Sequence, residues 1–133
     1  MLEYGLIALG SALGGMGRFW LASLVGRTVG GIFPWGTVLV NVSGCLAIGL
    51  IATLTGPEGR LPIAGEWRGF LMIGICGGYT TFSSFALQTL LLVQGGEVLA
   101  AAMNILASVA LCLFAVWIGH IFALQINGFG GAN

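Results

Sequence analysis

From Gly69 to Gly96 the chain runs without a charged side chain, and in the middle of that run stands GGYTTFSSFALQ, Gly77 to Gln88. In a soluble protein such a cluster of glycine, threonine and serine reads as a turn. Here apolar sequence of membrane length surrounds it. Backbone polar groups inside a bilayer must be satisfied by protein, so a broken helix survives at that depth only against buried protein or along a polar pathway. The expectation is a helix interrupted near Gly77 to Phe82, with something polar or ionic passing beside the break.

The membrane setting follows from what the chain lacks. Only 6% of its residues are charged and 58% are hydrophobic, where an average soluble chain carries about 25% charged residues. A helical span needs roughly 20 apolar residues, and four segments supply them: Gly5 to Val25, Trp35 to Thr55, Trp67 to Val93 and Val98 to Leu124. Strands of a membrane barrel would alternate polar and apolar positions. VLVNVSGCLAIGLIATL and LASVALCLFAVWIGHIFAL are instead apolar at nearly every position, so an all-α integral membrane domain is expected. Its linkers are short: Arg27 to Pro34, Gly56 to Glu66 and Gln94 to Glu97. Residues 1–126 read as one four-helix transmembrane domain, and residues 127–133, rich in glycine, as a flexible tail. The first span lacks the basic start of a signal peptide and outruns its usual apolar core. Cys45, Cys76 and Cys112 are odd in number, fall one to a span and show no paired ligand spacing, so they read as small buried apolar residues.

There is no lysine. Arg27 lies on one side, Arg60 and Arg68 on the other, and Arg18 within the first span. Orientation is set by an excess of Lys and Arg in short loops, and so slight an imbalance permits insertion in both orientations. Gly10 and Gly14 make GxxxG, the spacing that lets helix backbones approach in lipid. Four short helices enclose little alone, so this face serves either a second copy in a two-fold dimer or packing within one chain.

A new helix starting near Thr81, at 100° per residue, places Ser84 at about 300° and Gln88 at about 340°, one polar stripe with Thr81 at its origin. Phe82 and Phe85 fall beside it, near 100° and about 40°. Ring edges are positive and favour an anion, ring faces favour a cation, and the spacing does not choose; packing alone is the third alternative. Thr37, Asn41 and Gly44 form one small or polar face in the second span, and Asn104, Ser108 and Cys112 another in the fourth. Membrane asparagines serve as pore lining or as bridges between helices. Arg18 is an intramembrane charge and so a functional candidate, or it snorkels to the interface. His120 near the end of the fourth span reads as an interfacial imidazole.

With GGYTTFSSF at Gly77 to Phe85, GGMGRF at Gly14 to Phe19, GTVLVNVSG at Gly36 to Gly44 and its four spans, the chain resembles the Fluc (CrcB) fluoride channel family over nearly its whole length. That resemblance implies a channel rather than an enzyme, in the bacterial inner membrane, built as an antiparallel, dual-topology homodimer with two pores that passively export toxic fluoride. It further implies that Phe82 and Phe85 line the pore, that Asn41 faces it from the second helix, and that Ser84 continues its polar track; Thr81, from the stripe, and Ser108, from the polar face of the fourth span, are expected to line it with them. Gly77 and Thr80 would lend backbone carbonyls to a structural sodium ion at the dimer centre. Partners would be fluoride, lipid and a second copy, with no nucleic acid. Gln88 stands where the family is expected to carry an acid, so no role resting on a carboxylate carries over to it.

Two rival readings remain. A small multidrug-type exporter also has four spans, but couples protons to cationic drugs through a carboxylate within the membrane. Glu3, Glu58, Glu66 and Glu97 all lie at span ends or in linkers, and there is no aspartate. A non-transporting membrane subunit is the other rival, and it leaves the broken helix without a role.

Overall fold

A computed structural model describes residues 1–128; the tail expectation for residues 129–133 lies outside the described residues. The described chain is helical with no strand. α1 is Leu2–Val29, α2 Trp35–Leu54 and α3 residues 65–79. α4, Phe82–Gln94, continues the span that α3 begins, and α5 is Val98–Gly128. Four stretches are long and apolar enough to cross a membrane, the third being Gly65–Gln94 taken across its break. These are the four spans expected from the sequence. α5 runs on through Asn127 and Gly128, two residues past the boundary read from composition.

Helix ends follow backbone chemistry. α1 stops where Gly30 and Gly31 take positive φ, 64° and 83°, a region costly for any side chain, and Pro34 then precedes α2. The carboxyl ends of α2 and α5 meet two arginines. Arg68 donates from Nη2 to the Ala52 carbonyl at 3.1 Å and from Nε to Thr55 Oγ1 at 3.3 Å. Arg60 donates from its backbone N–H to Asn127 Oδ1 at 3.0 Å and from Nη1 to the Ile126 carbonyl at 3.4 Å. Cations at helix C-termini complement the dipole and the orphan carbonyls there. At the same end His120 Nδ1 and Thr53 Oγ1 share a hydrogen bond of 2.8 Å, tying α5 to α2.

Glycine sets the packing. A Cβ on Gly10 would lie 2.8 Å from the Phe70 carbonyl oxygen and 2.9 Å from Gly74 Cα, and Gly14 is pressed as hard against Ile75 and Tyr79. The GxxxG face of α1 is therefore consumed against α3 inside one chain, and it no longer argues for a second copy. Gly49 and Gly119 do the same for α2 and α5: each lies against the other helix's backbone, near Val116 and Leu46 respectively. Close approach of this kind replaces the hydrophobic driving force that lipid removes. Large apolar side chains such as Trp20, Leu106 and Phe122 stay exposed on the outer faces, where acyl chains solvate them.

Candidate functional site

α3 breaks within the expected stretch, Gly77 to Phe82, but the π-helix that precedes the break was not foreseen. From Phe70 to Cys76 it widens into a π-helix, a form concentrated at functional sites, and it closes with an α turn, Gly77–Tyr79. Thr80 (φ −77°, ψ 157°) and Thr81 (φ −151°, ψ 111°) are then extended, and α4 begins at Phe82. β-branched threonine tolerates this backbone well, and each hydroxyl covers a helix end. Thr80 Oγ1 donates to the Cys76 carbonyl at 3.0 Å. Thr81 Oγ1 accepts the Ser84 N–H at 3.2 Å, the N-cap bond of α4.

Asn41 reaches into the gap from α2. Its Oδ1 accepts the Thr81 N–H at 2.7 Å and its Nδ2 donates to the Thr81 carbonyl at 3.0 Å, as a neighbouring strand would. The bridge has a consequence for Gly77. In a continuing helix the Thr81 N–H would bind the Gly77 carbonyl, four residues back. With that N–H committed to Asn41, the Gly77 carbonyl is released. Thr80's carbonyl receives Arg18 Nη1 at 3.4 Å, a long bond that uses one of its two lone pairs. Two uncharged oxygens beside unwound backbone are a donor set that suits a sodium ion, with Arg18 as a competitor for the Thr80 oxygen.

The two faces of α4 border different cavities. A cleft of about 330 Å³ is lined by Asn41, Thr81, Phe82, Phe85 and Ser108, and by Gly77 and Thr80. A second cavity of about 240 Å³ is lined by Thr81, Ser84 and Gln88, together with Thr37 and Arg18. The expected stripe of Thr81, Ser84 and Gln88 is thus present, and the two rings are beside it, but stripe and rings open on opposite sides with Thr81 shared. Ser84 stands apart from the other proposed pore residues, bonded to Thr81 Oγ1 at 3.0 Å. Gln88 Oε1 is buried without a hydrogen-bond partner among the described residues.

In the cleft the rings of Phe82 and Phe85 lie 5.2 Å apart at 51°. Phe85 is 9% exposed, whereas Phe82 is 77% exposed on the single chain. Ser108 Oγ donates to Asn104 Oδ1 at 3.3 Å, and Asn104 Nδ2 donates to Thr89 Oγ1 at 2.9 Å. Asn104, 1% exposed, therefore bridges α4 and α5, which is the glue role. No acid, arginine or histidine lines the cleft, and Glu3, Glu58, Glu66 and Glu97 are exposed at helix ends or in linkers. The carboxylate that a proton-coupled drug exporter needs within the membrane is missing from this chain. Cys45, Cys76 and Cys112 all border the cleft; Cys76 is buried as expected, while Cys45 and Cys112 are half-buried. Their spacing along the chain gave no sign of this, because the helices, not the sequence, bring them together.

The chain is 58% identical over 127 residues, 96% of its length and 99% of the relative's, to a protein of Paramagnetospirillum magneticum named "Fluoride-specific ion channel FluC". Proteins of the same name from Methylocella silvestris and Rhodospirillum rubrum are 55% identical over 131 residues and 54% identical over 126. They cover 98% and 95% of this chain, which in turn spans 100% and 98% of them. Residues 5–120 match the family described as "CrcB-like protein, Camphor Resistance (CrcB)". With the match running from the first helix into the last, this integral membrane chain belongs to the CrcB family.

Proposed function

We propose that the chain is a fluoride-selective ion channel, not an enzyme, and that it exports toxic fluoride passively across the bacterial inner membrane. The observation that carries this reading is the uncharged cleft in which Asn41, Thr81, Phe82, Phe85 and Ser108 meet beside the broken helix. Its relatives' names point to the same ion. Fluoride holds water tightly, and a low-dielectric passage must offset that loss group by group. Amide and hydroxyl dipoles with positive ring edges do so without the deep trap that a lysine or arginine would make, and conduction needs binding weak enough to release. Vesicles holding only the purified chain, loaded with the potassium salts of both anions and treated with valinomycin, should release fluoride and retain chloride; equal release of both would remove the selectivity.

The channel is an antiparallel, dual-topology homodimer with two pores. Support comes from the near balance of Arg27 against Arg60 and Arg68, and from Phe82, a pore ring that a single chain leaves 77% uncovered. A second copy would cover it. At the dimer centre the Gly77 and Thr80 carbonyls of both chains would hold a structural sodium ion, each chain supplying half of the oxygens. The ion would tie the two breaks together by its charge. For the topology, Leu61→Cys places a thiol in the α2–α3 linker, where Leu61 is exposed. An impermeant maleimide should modify about half of it from each side of the membrane, as a chain without orientation bias requires. Modification from one side only would overturn dual topology.

A further inference from the structure

α2 and α5 run side by side in one register. Thr53 pairs with His120 at a separation of 67 residues. The same offset relates Gly49 to Val116, whose backbones touch, and Cys45 to Cys112, which line one cleft. Cys45 therefore faces Cys112 across the helix pair, one turn from Asn41 and one from Gly49. Both border the same cleft as Phe85 and Ser108, neither is in a disulfide, and both are half-buried.

Two facing thiols select narrowly among ligands. Among the described residues no group of three His, Cys, Asp or Glu is placed to hold a metal ion, so zinc, which takes four ligands in structural sites and three in catalytic ones, is unsuited. Thiolates bind soft cations, and an ion content with two sulfurs in a line remains. Charge then decides between monovalent and divalent ions. Two thiolates with a monovalent cation leave a net negative charge in an apolar cleft, where uncompensated charge is costly; with a divalent cation the complex is neutral. We propose that Cys45 and Cys112 form a two-sulfur site for a soft divalent cation of linear coordination, mercuric ion being the type, and that filling it closes the cleft. Two S–H bonds break, two Hg–S bonds form and two protons leave, so no oxidant is needed.

The closure rests on the cleft being the fluoride path; the site itself does not, and two readouts separate them. Purified full-length chain is titrated with mercuric chloride while mercury–thiolate ultraviolet absorption is followed, and fluoride efflux from liposomes is measured with and without the salt. The wild type should bind one mercuric ion per chain with high affinity. Its efflux should fall by about tenfold or more, because an occupied constriction conducts only between dissociation events. Cys45→Ser, Cys45→Ala and Cys112→Ala should each lose the tight absorption step, and each should show a ratio of treated to untreated efflux near one. Cys76→Ser should keep both responses. A titration of the Cys45 variants identical to wild type would overturn the site. Tight binding that depends on both thiols, with efflux untouched, would overturn the closure and remove this cleft from the fluoride path.

Discussion

Phe82→Ile should cut fluoride efflux about fivefold per folded channel, one ring-edge contact being worth on the order of 1 kcal/mol. Phe85→Ile should do the same. Isoleucine fills much of the space but offers no positive edge. The two positions also control for each other. Phe85 is 9% exposed, so its replacement also loses packing and some stability, whereas Phe82 is 77% exposed on the single chain and gives up almost no packing within its own chain. A loss of flux in Phe82→Ile with normal helix content and assembly therefore reports on the ion. Rings that merely face lipid or fill space predict near-normal efflux in both variants, and that result would end the aromatic mechanism.

Asn41→Asp should have the larger effect. A unit charge 4 Å from a passing anion costs about 4 kcal/mol at an effective dielectric of 20, which is roughly a thousandfold in rate. The carboxylate would also oppose the Thr81 carbonyl, to which Asn41 Nδ2 now donates at 3.0 Å. Asn41→Leu separates the two consequences. It breaks both bonds to Thr81 without adding charge, so it loosens the break and leaves the path neutral. If Asn41 only bridges helices, the two variants should lose thermal stability alike and conduct in proportion to the protein that remains folded. If it faces the ion, Asn41→Asp should be silent even where folded protein is abundant.

What the sequence disclosed is what depends on neighbours along the chain. Apolar run length located the four spans, and the Gly-Gly-Tyr-Thr-Thr cluster located the break, because hydropathy and turn chemistry are local. The stripe of Thr81, Ser84 and Gln88 followed from helix geometry alone. What stayed hidden depends on how helices dock. Helical spacing put the rings of Phe82 and Phe85 next to that stripe, yet only the positions of α1, α2 and α5 decide that rings and stripe open on separate cavities. Gly10 and Gly14 were as consistent with a second copy as with α3, until Phe70 and Gly74 were found against them. Arg18 on Thr80's carbonyl and the placing of Cys45 and Cys112 in one cleft are likewise products of register between helices, for which sequence spacing carries no signal.

On the proposed mechanism, fluoride crosses this protein as a bare, uncoupled ion. Liposomes holding the purified chain, loaded with potassium fluoride and diluted into fluoride-free buffer near neutral pH, test it most directly. A selective channel moves charge, so efflux should stall until valinomycin lets potassium follow, then run to completion; vesicles loaded with potassium chloride should stay full under the same treatment. Rapid fluoride release without valinomycin, or chloride leaving as fast as fluoride, would contradict it.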